Sequence, residues 1–494
     1  MELLERHEIS EIELSKLERT NRLDTEFYTK ENLKVLNILE KHTLTSIFDL
    51  TKVSDGNHMA ISDNFTEIGI PYYRGQDIHN YFIEQGTPIC IDENSYNIPN
   101  MKRSHLQKGD VLLSIVGTIG GVSLVTTEDK ATCNCKLAIL RPKKVNGYYL
   151  SAFLKSKFGQ NQIHKFTRGA VQKGLILEDM NQIFVPDFSI EFQSKISDLI
   201  EKARITISQS IITYSQAETI LLKEIGLEKE VTGLNPVEVT NQAVEGSNPS
   251  MFINNGANKN VNVKNFKDSF GVTGRLDAEY YQKKYENFEK SILENNNGFT
   301  YIKSEFEHIK TNSKKVESGY NYIEIGDVNV NDGSCKSNYV ETVDLPANAK
   351  NLVEKGDILI SNVRPYRGAI TLIDFDQENL IVSGAFTVLR EKRNSQFSNE
   401  VLKVLLRTSM YKEWLLKFNV GTSYPVIKDE DVLELPIPII SKQTQKIITN
   451  KIQQSQILKK QSEHLLEVAK RAVEIAIEEN EAAAMAYINE NVKS

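Results

Sequence analysis

A long internal repeat constrains the fold more than any other feature of the sequence. The segment RLDTEFYTK at 22–30 returns as RLDAEYYQK at 275–283, an offset of 253 residues. Four further pairs of segments keep the same order at offsets between 247 and 252: 70–78 with 320–328, 108–116 with 355–363, 140–144 with 389–393, and 169–186 with 421–438. A solenoid repeats roughly every 20–50 residues, so this offset instead indicates two copies of one domain.

Each copy is predicted to combine helices with short strands, which places the chain in the α+β class. The repeated motif would begin a helix, with Asp24 or Asp277 as its N-cap. In each copy a Lys-Gly-Asp turn leads into a strand, at 111–116 and at 358–363, and a return strand follows. The loop between these strands is Gly-Thr-Ile-Gly in copy one and Arg-Pro-Tyr-Arg in copy two. Shared strands with different loops indicate a binding module with two targets, although neutral drift of exposed loops would give the same pattern.

Two long helices are predicted, one after each copy, at about 190–225 and 442–486. Apolar side chains recur in both at steps of three and four residues. Neither helix could bury this stripe alone, so an antiparallel coiled coil is expected. Its predicted seam residues are Ile196, Ile200, Ala203, Ile207, Tyr214, Leu221, Ile448, Ile452, Leu466 and Val473. The predicted divisions are a first globular domain at 1–187, a helix at 188–228, a linker at 229–270, a second globular domain at 271–440, and a helix with an acidic tail at 441–487.

The composition is that of a globular protein without membrane spans. Of the 494 residues 40% are apolar and 25% are charged, and no run of about 18 apolar residues occurs. The N-terminus does not resemble a signal or transit peptide. Four cysteines are too few for a disulfide scaffold, and Cys133 and Cys135 lack a second pair of metal ligands nearby. We therefore expect a cytoplasmic protein without a metal site.

Charge is segregated along the chain. The net charge is −7, yet residues 101–175 contain 13 Lys and Arg against 3 Asp and Glu, and residues 350–417 contain 11 against 8. The local field, not the total charge, attracts a polyanion, so the basic stretches indicate nucleic-acid binding. Solvated surface charge would explain the weaker excess in copy two equally well.

Common catalytic motifs are missing from the sequence. There is no G-x-x-x-x-G-K-[ST], G-x-S-x-G or H-E-x-x-H segment, and the eight histidines lack metal-ligand spacing. The glycines at 117–121 precede a predicted strand, whereas a phosphate loop needs a helix N-terminus. A non-catalytic recognition subunit is therefore predicted. The alternatives are a protein-binding scaffold, or a nuclease or methyltransferase with a degenerate motif.

The order of these segments, twice over, resembles the specificity (S) subunit of type I restriction–modification systems. The resemblance is carried by RLDTEFY and RLDAEYY, by the two KGD segments with their hairpins, by Pro186, Pro436 and Pro438 before the long helices, and by AETILLKEIGL at 217–227. It implies two target recognition domains, 1–187 and 271–440, each reading one half of a bipartite site in double-stranded DNA. The helices would form a spacer that sets the gap between the half-sites.

The resemblance also implies partners. Two modification (methyltransferase) subunits would dock on the chain and use S-adenosylmethionine, and a restriction (motor-nuclease) subunit would be an optional further partner. The chain itself would bind no cofactor and no membrane.

Two kinds of DNA contact are predicted from side-chain chemistry. Polar side chains near the loop tips are candidates for reading base edges: Arg74, Gln76, Thr118, Gln172, Arg364, Tyr366, Arg367 and Tyr424. Basic side chains are candidates for phosphate contacts: Lys102, Arg103, Lys108, Lys165, Arg168, Lys173, Lys392, Arg393 and Lys417.

Overall fold

The computed structural model describes residues 10–492, apart from 16, 18–23, 67, 79, 87, 170–172, 228–261, 312–317 and 422–424. It is a mixed helix and sheet structure, and its described residues fall into two compact units. Unit 1 contains the described residues up to Ser210 and from Ile457 onward, and unit 2 contains those from Ile211 to Gln456. Both boundaries lie within the two long helices. The predicted site residues Gln172 and Tyr424, and most of the predicted linker, lie outside the described residues.

The described residues of unit 1 form ten strands, five short α-helices and the first part of one long helix, together with the last part of the second long helix and the helix that follows it. The strands are β1 (Leu44–Ser46), β2 (Thr51–Asp55), β3 (Phe65–Thr66), β4 (Ile70–Tyr73), β5 (Ile89–Ile91), β6 (Val111–Ser114), β7 (Val122–Leu124), β8 (Thr132–Cys133), β9 (Leu137–Pro142) and β10 (Phe184–Pro186). The helices are α1 (Lys30–Leu39), α2 (Ile47–Leu50), α3 (Glu93–Tyr96), α4 (Gly147–Lys155), α5 (Lys157–Lys165) and the long α6 (Ile190–Glu224).

Two four-stranded sheets organise unit 1. One has the order β2-β9-β6-β7 and is antiparallel throughout. The other has the order β3-β5-β4-β8, in which β4 and β8 run parallel. All four residues of β6 are buried, as expected for a short apolar run between neighbours on both sides. Strand β1 pairs with β10, just before the long helix begins.

Unit 2 repeats this set of elements. Its strands are β11 (Phe299–Tyr301), β12 (Phe306–His308), β13 (Tyr320–Ile323), β14 (Asn338–Val340), β15 (Ala349–Leu352), β16 (Ile358–Ser361), β17 (Ile370–Leu372), β18 (Leu380–Ser383), β19 (Phe386–Glu391) and β20 (Pro436–Pro438). Its helices are α7 (Phe270–Thr273), α8 (Lys283–Leu293), α9 (Ile302–Glu305), α10 (Asn399–Arg407), α11 (Ser409–Leu416) and α12 (Asp429–Leu433). The second long helix, α13 (Lys442–Glu478), begins here, and α14 (Glu481–Asn491) follows it along the chain.

The first sheet of unit 2 has the strand order of its counterpart in unit 1, whereas the second sheets share three strands and differ in the fourth, which is β3 beside β5 in unit 1 and β15 beside β18 in unit 2. The order β12-β19-β16-β17 corresponds to β2-β9-β6-β7. In the second sheet, β13 and β18 run parallel just as β4 and β8 do, and β14 flanks β13 as β5 flanks β4. The hairpins predicted from the KGD segments are present in both units as β6–β7 and β16–β17.

One buried ion pair occurs at the same place in both units. Asp110, at the start of β6, accepts two hydrogen bonds from Arg141 of β9, both at 2.8 Å. Asp357 and Arg390 make the same two contacts at 2.7 and 2.8 Å. The two aspartates are 1% and 0% exposed. This ion pair explains why Lys-Gly-Asp and Leu-Arg recur together, since buried charges must be paired.

Two sequence predictions about helix ends are wrong. Asp24 and Asp277 do not begin an α-helix. Thr29 caps α1, because its hydroxyl accepts a hydrogen bond from Asn32 N at 3.2 Å, and Gln282 stands at the N-cap of α8. The second long helix is also not continuous to 486. It ends at Glu478, and Asn480 caps the separate helix α14 by accepting a hydrogen bond from Ala483 N at 2.9 Å.

Segments of the two long helices lie antiparallel within each unit. In unit 2, Lys451 contacts Gln216 at 2.7 Å and Ser441 N contacts Glu224 at 3.3 Å. In unit 1, the Ser462 hydroxyl donates to Ala203 O at 2.8 Å. Eight of the predicted seam residues are buried, and two are half-buried. The half-buried ones are Tyr214 and Leu466.

Candidate nucleic-acid interface

Several strands of unit 1 end at the same edge of that unit. Strands β2, β4, β6 and β8 all run toward it, as their pairings require. The segments that follow them are joined by backbone hydrogen bonds of 2.9 Å: Asn134 N to Tyr73 O, Cys135 N to Asn57 O, and Ile115 N to Lys136 O. We call this side of each unit its loop edge. In unit 2 the corresponding strands are β13, β16 and β18.

The loop between β6 and β7, residues 115–121, lies on the loop edge of unit 1. The Thr118 hydroxyl donates to Gly75 O at 2.9 Å, which brings three predicted base readers together. Gln76 is exposed. Arg74 binds the buried Asp77 through Nε at 2.8 Å and Nη2 at 3.1 Å. A DNA contact by this guanidinium would therefore compete with Asp77.

A second segment, 168–174, completes the loop edge of unit 1. Arg168 and Gly174 exchange two backbone hydrogen bonds of 2.8 Å, and Gly174 also bridges to Val116 beside the first loop. A cleft of about 710 Å³ lies here and is lined in part by Lys165, Arg168 and Lys173. The Arg168 guanidinium donates to Asp179 at 2.6 Å. Three predicted phosphate contacts thus share one surface.

The repeated motif supports a lysine in each unit. Lys165 Nζ lies 4.2 Å from the ring centre of Phe27, and Lys417 Nζ lies 5.0 Å from that of Tyr280. Such cation–π contacts hold an ammonium group over an aromatic ring. Burial lowers the pKa of Lys417, and the nearby Glu289 and Glu286 act in the opposite direction.

The corresponding loop of unit 2, residues 362–369, contains a backbone conformation that is unusual for its residue. Arg364 has a φ of 48°, in the left-handed region that side chains with a Cβ rarely adopt. The matching residue of unit 1 is Gly117, with a φ of 84°. Residues in such conformations cluster at functional sites. Arg367 is exposed and Tyr366 is half-buried on the same turn.

Val420 and Val426 flank this loop as Arg168 and Gly174 flank the loop of unit 1. Val420 and Val426 exchange backbone hydrogen bonds of 2.9 and 3.1 Å, and Arg364 N donates to Pro425 O at 3.0 Å. Arg275 of the repeated motif donates to Asn419 O at 3.1 Å. The motif therefore packs beside the loop edge of unit 2, a placement that the sequence did not predict.

A polar cluster at the base of the unit 2 loop was also missed. Asp429 contacts Asn362, Thr387, His308 and Lys310. The pKa of His308 lies below its usual value because of burial, and the charge of Asp429 acts in the opposite direction. Burial would raise the pKa of Asp429, but the hydrogen bonds of Thr387, Asn362 and Lys310 and the charge of His308 bring it below its usual value. Comparing matched positions of the two copies would have revealed this cluster, because copy one has apolar residues there.

Not every predicted contact lies at a loop edge. Lys108 precedes β6 at its opposite end and contacts Glu128 at 3.3 Å. Lys392 and Arg393 follow β19 at the end away from the loop, and Lys392 donates to Lys303 O at 2.6 Å. In contrast, Arg103 is exposed near the loop edge of unit 1, because it pairs with Asp55 at the end of β2, and the neighbouring Lys102 is exposed as well.

The described residues contain no group of three or more His, Cys, Asp and Glu side chains placed to hold a metal ion. In the same part of the chain, no helix is both long and apolar enough to cross a bilayer.

Known proteins share sequence with this chain. The sequence model of the type I restriction modification DNA specificity domain matches residues 290–467. The specificity subunit of the type I restriction enzyme HindI from Haemophilus influenzae is 32% identical over 129 residues, which is 26% of this chain and 28% of the relative. That of the type I restriction enzyme EcoBI from Escherichia coli is 31% identical over 103 residues, covering 20% and 22%. The chain thus spans less than a third of either relative.

A solved structure also covers most of the chain. The S subunit of a type I restriction–modification system from M. genitalium aligns with 88% of this chain and 95% of its own length, at 14% identity and a TM-score of 0.42. Such a score is too low to support an inference. The sequence matches thus make the chain similar to type I restriction–modification specificity proteins, the family that its repeated segments resemble.

Proposed function

We propose that this protein recognises double-stranded DNA as the specificity subunit of a type I restriction–modification complex. The observation that carries the proposal is the pair of matched loop edges. Units 1 and 2 share one sheet with the same strand order and the same buried ion pair, but their loops have different side chains. Two related modules with different contact residues are what a two-part target requires, because base edges are read by side-chain donors and acceptors.

Each unit would be one target recognition domain. The base readers would come from the loops 115–121 and 362–369 and from the segments 168–174 and 420–426, which lie beside them. Lys165 and Lys417 would contact phosphates, since each is held near these loops by the repeated motif. The long helices α6 and α13 would form the antiparallel spacer that sets the gap between half-sites, as dimer geometry sets spacing in other DNA readers.

The chemistry would belong to other chains. Specificity subunits are non-catalytic, and the sequence contains none of the catalytic motifs sought above. We propose two methyltransferase subunits as partners, with S-adenosylmethionine bound to them, and a restriction subunit as an optional further partner. The cytoplasm would be the site of action.

The test is the adenine-methylation map of the host genome with the gene intact and deleted. Deletion should abolish methylation at one bipartite motif with a fixed gap. Exchanging only the region of unit 2 for that of a related protein should then change one half of the motif. Unchanged methylation throughout, together with no binding of DNA by the assembled complex, would contradict the proposal.

A further inference from the structure

We propose that Asp429 is a positioning residue for the recognition loop of unit 2, holding Asn362 so that Arg364 and Arg367 face the second half-site. The inference rests on the proposed function and extends it. It states that Asp429, which lies outside the loop 362–369, sets the loop conformation on which discrimination between bases depends.

Asp429 makes four polar contacts. Its Oδ1 atom lies 2.7 Å from the Thr387 hydroxyl and 3.0 Å from the Asn362 side-chain nitrogen. Its Oδ2 atom lies 3.1 Å from Lys310 Nζ and 3.5 Å from His308 Nε2. The Asp429 side chain is only 21% exposed. A carboxylate in this position needs such partners, since an unpaired buried charge is costly.

The contact to Asn362 reaches the loop at its first residue. Asn362 N donates to Ala385 O at 2.8 Å, and Asn362 O accepts from Ile427 N at 2.9 Å. These bonds hold the backbone, and the side chain is held by Asp429 and by the Thr387 hydroxyl, which lies 2.6 Å from Asn362 Oδ1. Two residues later, Arg364 adopts its left-handed conformation. The Asp429 carboxylate therefore holds the first side chain of the loop 362–369, and Ile427, two residues before Asp429, holds the backbone of the same loop residue.

Unit 1 shows that the shared fold does not require this cluster. The residues matched to Asn362, Thr387 and Asp429 are Ile115, Ala138 and Leu177. The match follows from equivalent backbone bonds in unit 1: Ile115 N donates to Lys136 O at 2.9 Å and Leu175 N donates to Ile115 O at 2.8 Å. Three apolar residues thus occupy positions that are polar in unit 2. The shared sheet forms with the apolar residues of unit 1 and with the polar residues of unit 2. The polar residues therefore serve a feature specific to unit 2, and the feature that they contact is the loop 362–369.

The experiment measures base preference of the assembled complex with its methyltransferase subunits. The probes are duplexes carrying the methylated motif of the host, with each half randomised in turn. Asp429→Leu should reduce discrimination at the second half-site about tenfold, as expected for loss of a hydrogen bond to a charged group. Preference at the first half-site should not change. Asp429→Asn keeps one acceptor oxygen and should restore most of the discrimination.

Two further variants keep the test decisive. Asp431→Asn is the matched control, because Asp431 lies on the same helix but accepts from Lys428 N at 2.8 Å. If Asp429→Leu does not fold, the triple variant N362I/T387A/D429L supplies the apolar set of unit 1, and it should fold while losing the same discrimination. Unchanged preference at the second half-site, or an equal loss at both half-sites, would overturn the inference. If the unaltered complex binds no bipartite duplex, the proposed function itself fails.

Discussion

Units 1 and 2 share a frame but hold their loops by different chemistry. In both units a buried aspartate and an arginine join β6 to β9 or β16 to β19, and a lysine lies over the first aromatic ring of the repeated motif. The loop of unit 1 is anchored by the Thr118 hydroxyl on Gly75 O, whereas that of unit 2 is anchored through Asn362 on Asp429. The difference shows that a duplicated domain can keep its buried charges and change the contacts that orient its surface.

The largest effect is expected from removing the shared ion pair. Asp357→Ala should lower the free energy of unfolding of unit 2 by about 3 kcal/mol, because Arg390 loses its buried partner. Asp110→Ala should do the same to unit 1. Trp414 is the only tryptophan and is buried in unit 2, so its fluorescence separates the two cases during urea unfolding. A shift of the Trp414 transition by Asp110→Ala as large as that by Asp357→Ala would show that the units do not unfold independently.

The next largest effect on stability is expected at a helix position where the two units have different residues. Lys403 of α10 is buried, where the matched residue of α4 is Ser151. Burial, and then the charge of Arg407, lower the pKa of Lys403 to about 8. The unfolded chain binds more protons between about pH 8 and 10.5, so stability should rise with pH across this window.

Lys403→Met should remove this rise. The variant should be more stable than the unaltered protein by up to about 3 kcal/mol at pH 7, and the difference should vanish near pH 10.5. Urea unfolding followed by Trp414 fluorescence at both pH values measures it. A constant difference across this range would contradict the assigned titration.

Base reading should be local to each unit. Arg367→Ala should relax the target at one base pair of the second half-site, with a loss of about 1–3 kcal/mol in discrimination. Gln76→Ala, which removes a predicted base reader of unit 1, should act only on the first half-site. Competition binding with single-base variants of the motif measures both. A uniform loss across all variants for Arg367→Ala would rule out a reading role.

The smallest effect on DNA binding is expected from Lys165 and Lys417, and it should be the same in both units. Lys165→Ala and Lys417→Ala should each weaken binding to every sequence alike and reduce the slope of log affinity against log salt by about 1. Lys355→Ala is the control, because Lys355 pairs with Asp376 at 2.9 Å, away from the loop edge. Unequal effects of the two lysine variants would indicate that only one unit places its lysine on a phosphate.

The sequence predicted the shared scaffold better than the individual contacts. Turn residues and apolar periodicity act over a few residues. They predicted the hairpins β6–β7 and β16–β17 and the beginning of both long helices. The helix caps were assigned wrongly, because Thr29 offers a better cap than Asp24 and Asn480 interrupts an otherwise helical pattern. Lys392 was predicted to contact phosphate from its charge alone, and the direction of β19 places it at the end of the sheet away from the loop edge.

The repeat, the mixture of helices and strands, the resemblance to specificity subunits and the different loops of the two copies were therefore determined by the sequence itself, because they depend on local residue order. Only the tertiary structure decided the parallel pairs β4–β8 and β13–β18, the partners of Asp110 and Asp357, and the cluster around Asp429. These contacts join residues that are far apart in the chain. Their partners are selected by strand register and by the need to pair buried polar groups, neither of which can be read from a short segment.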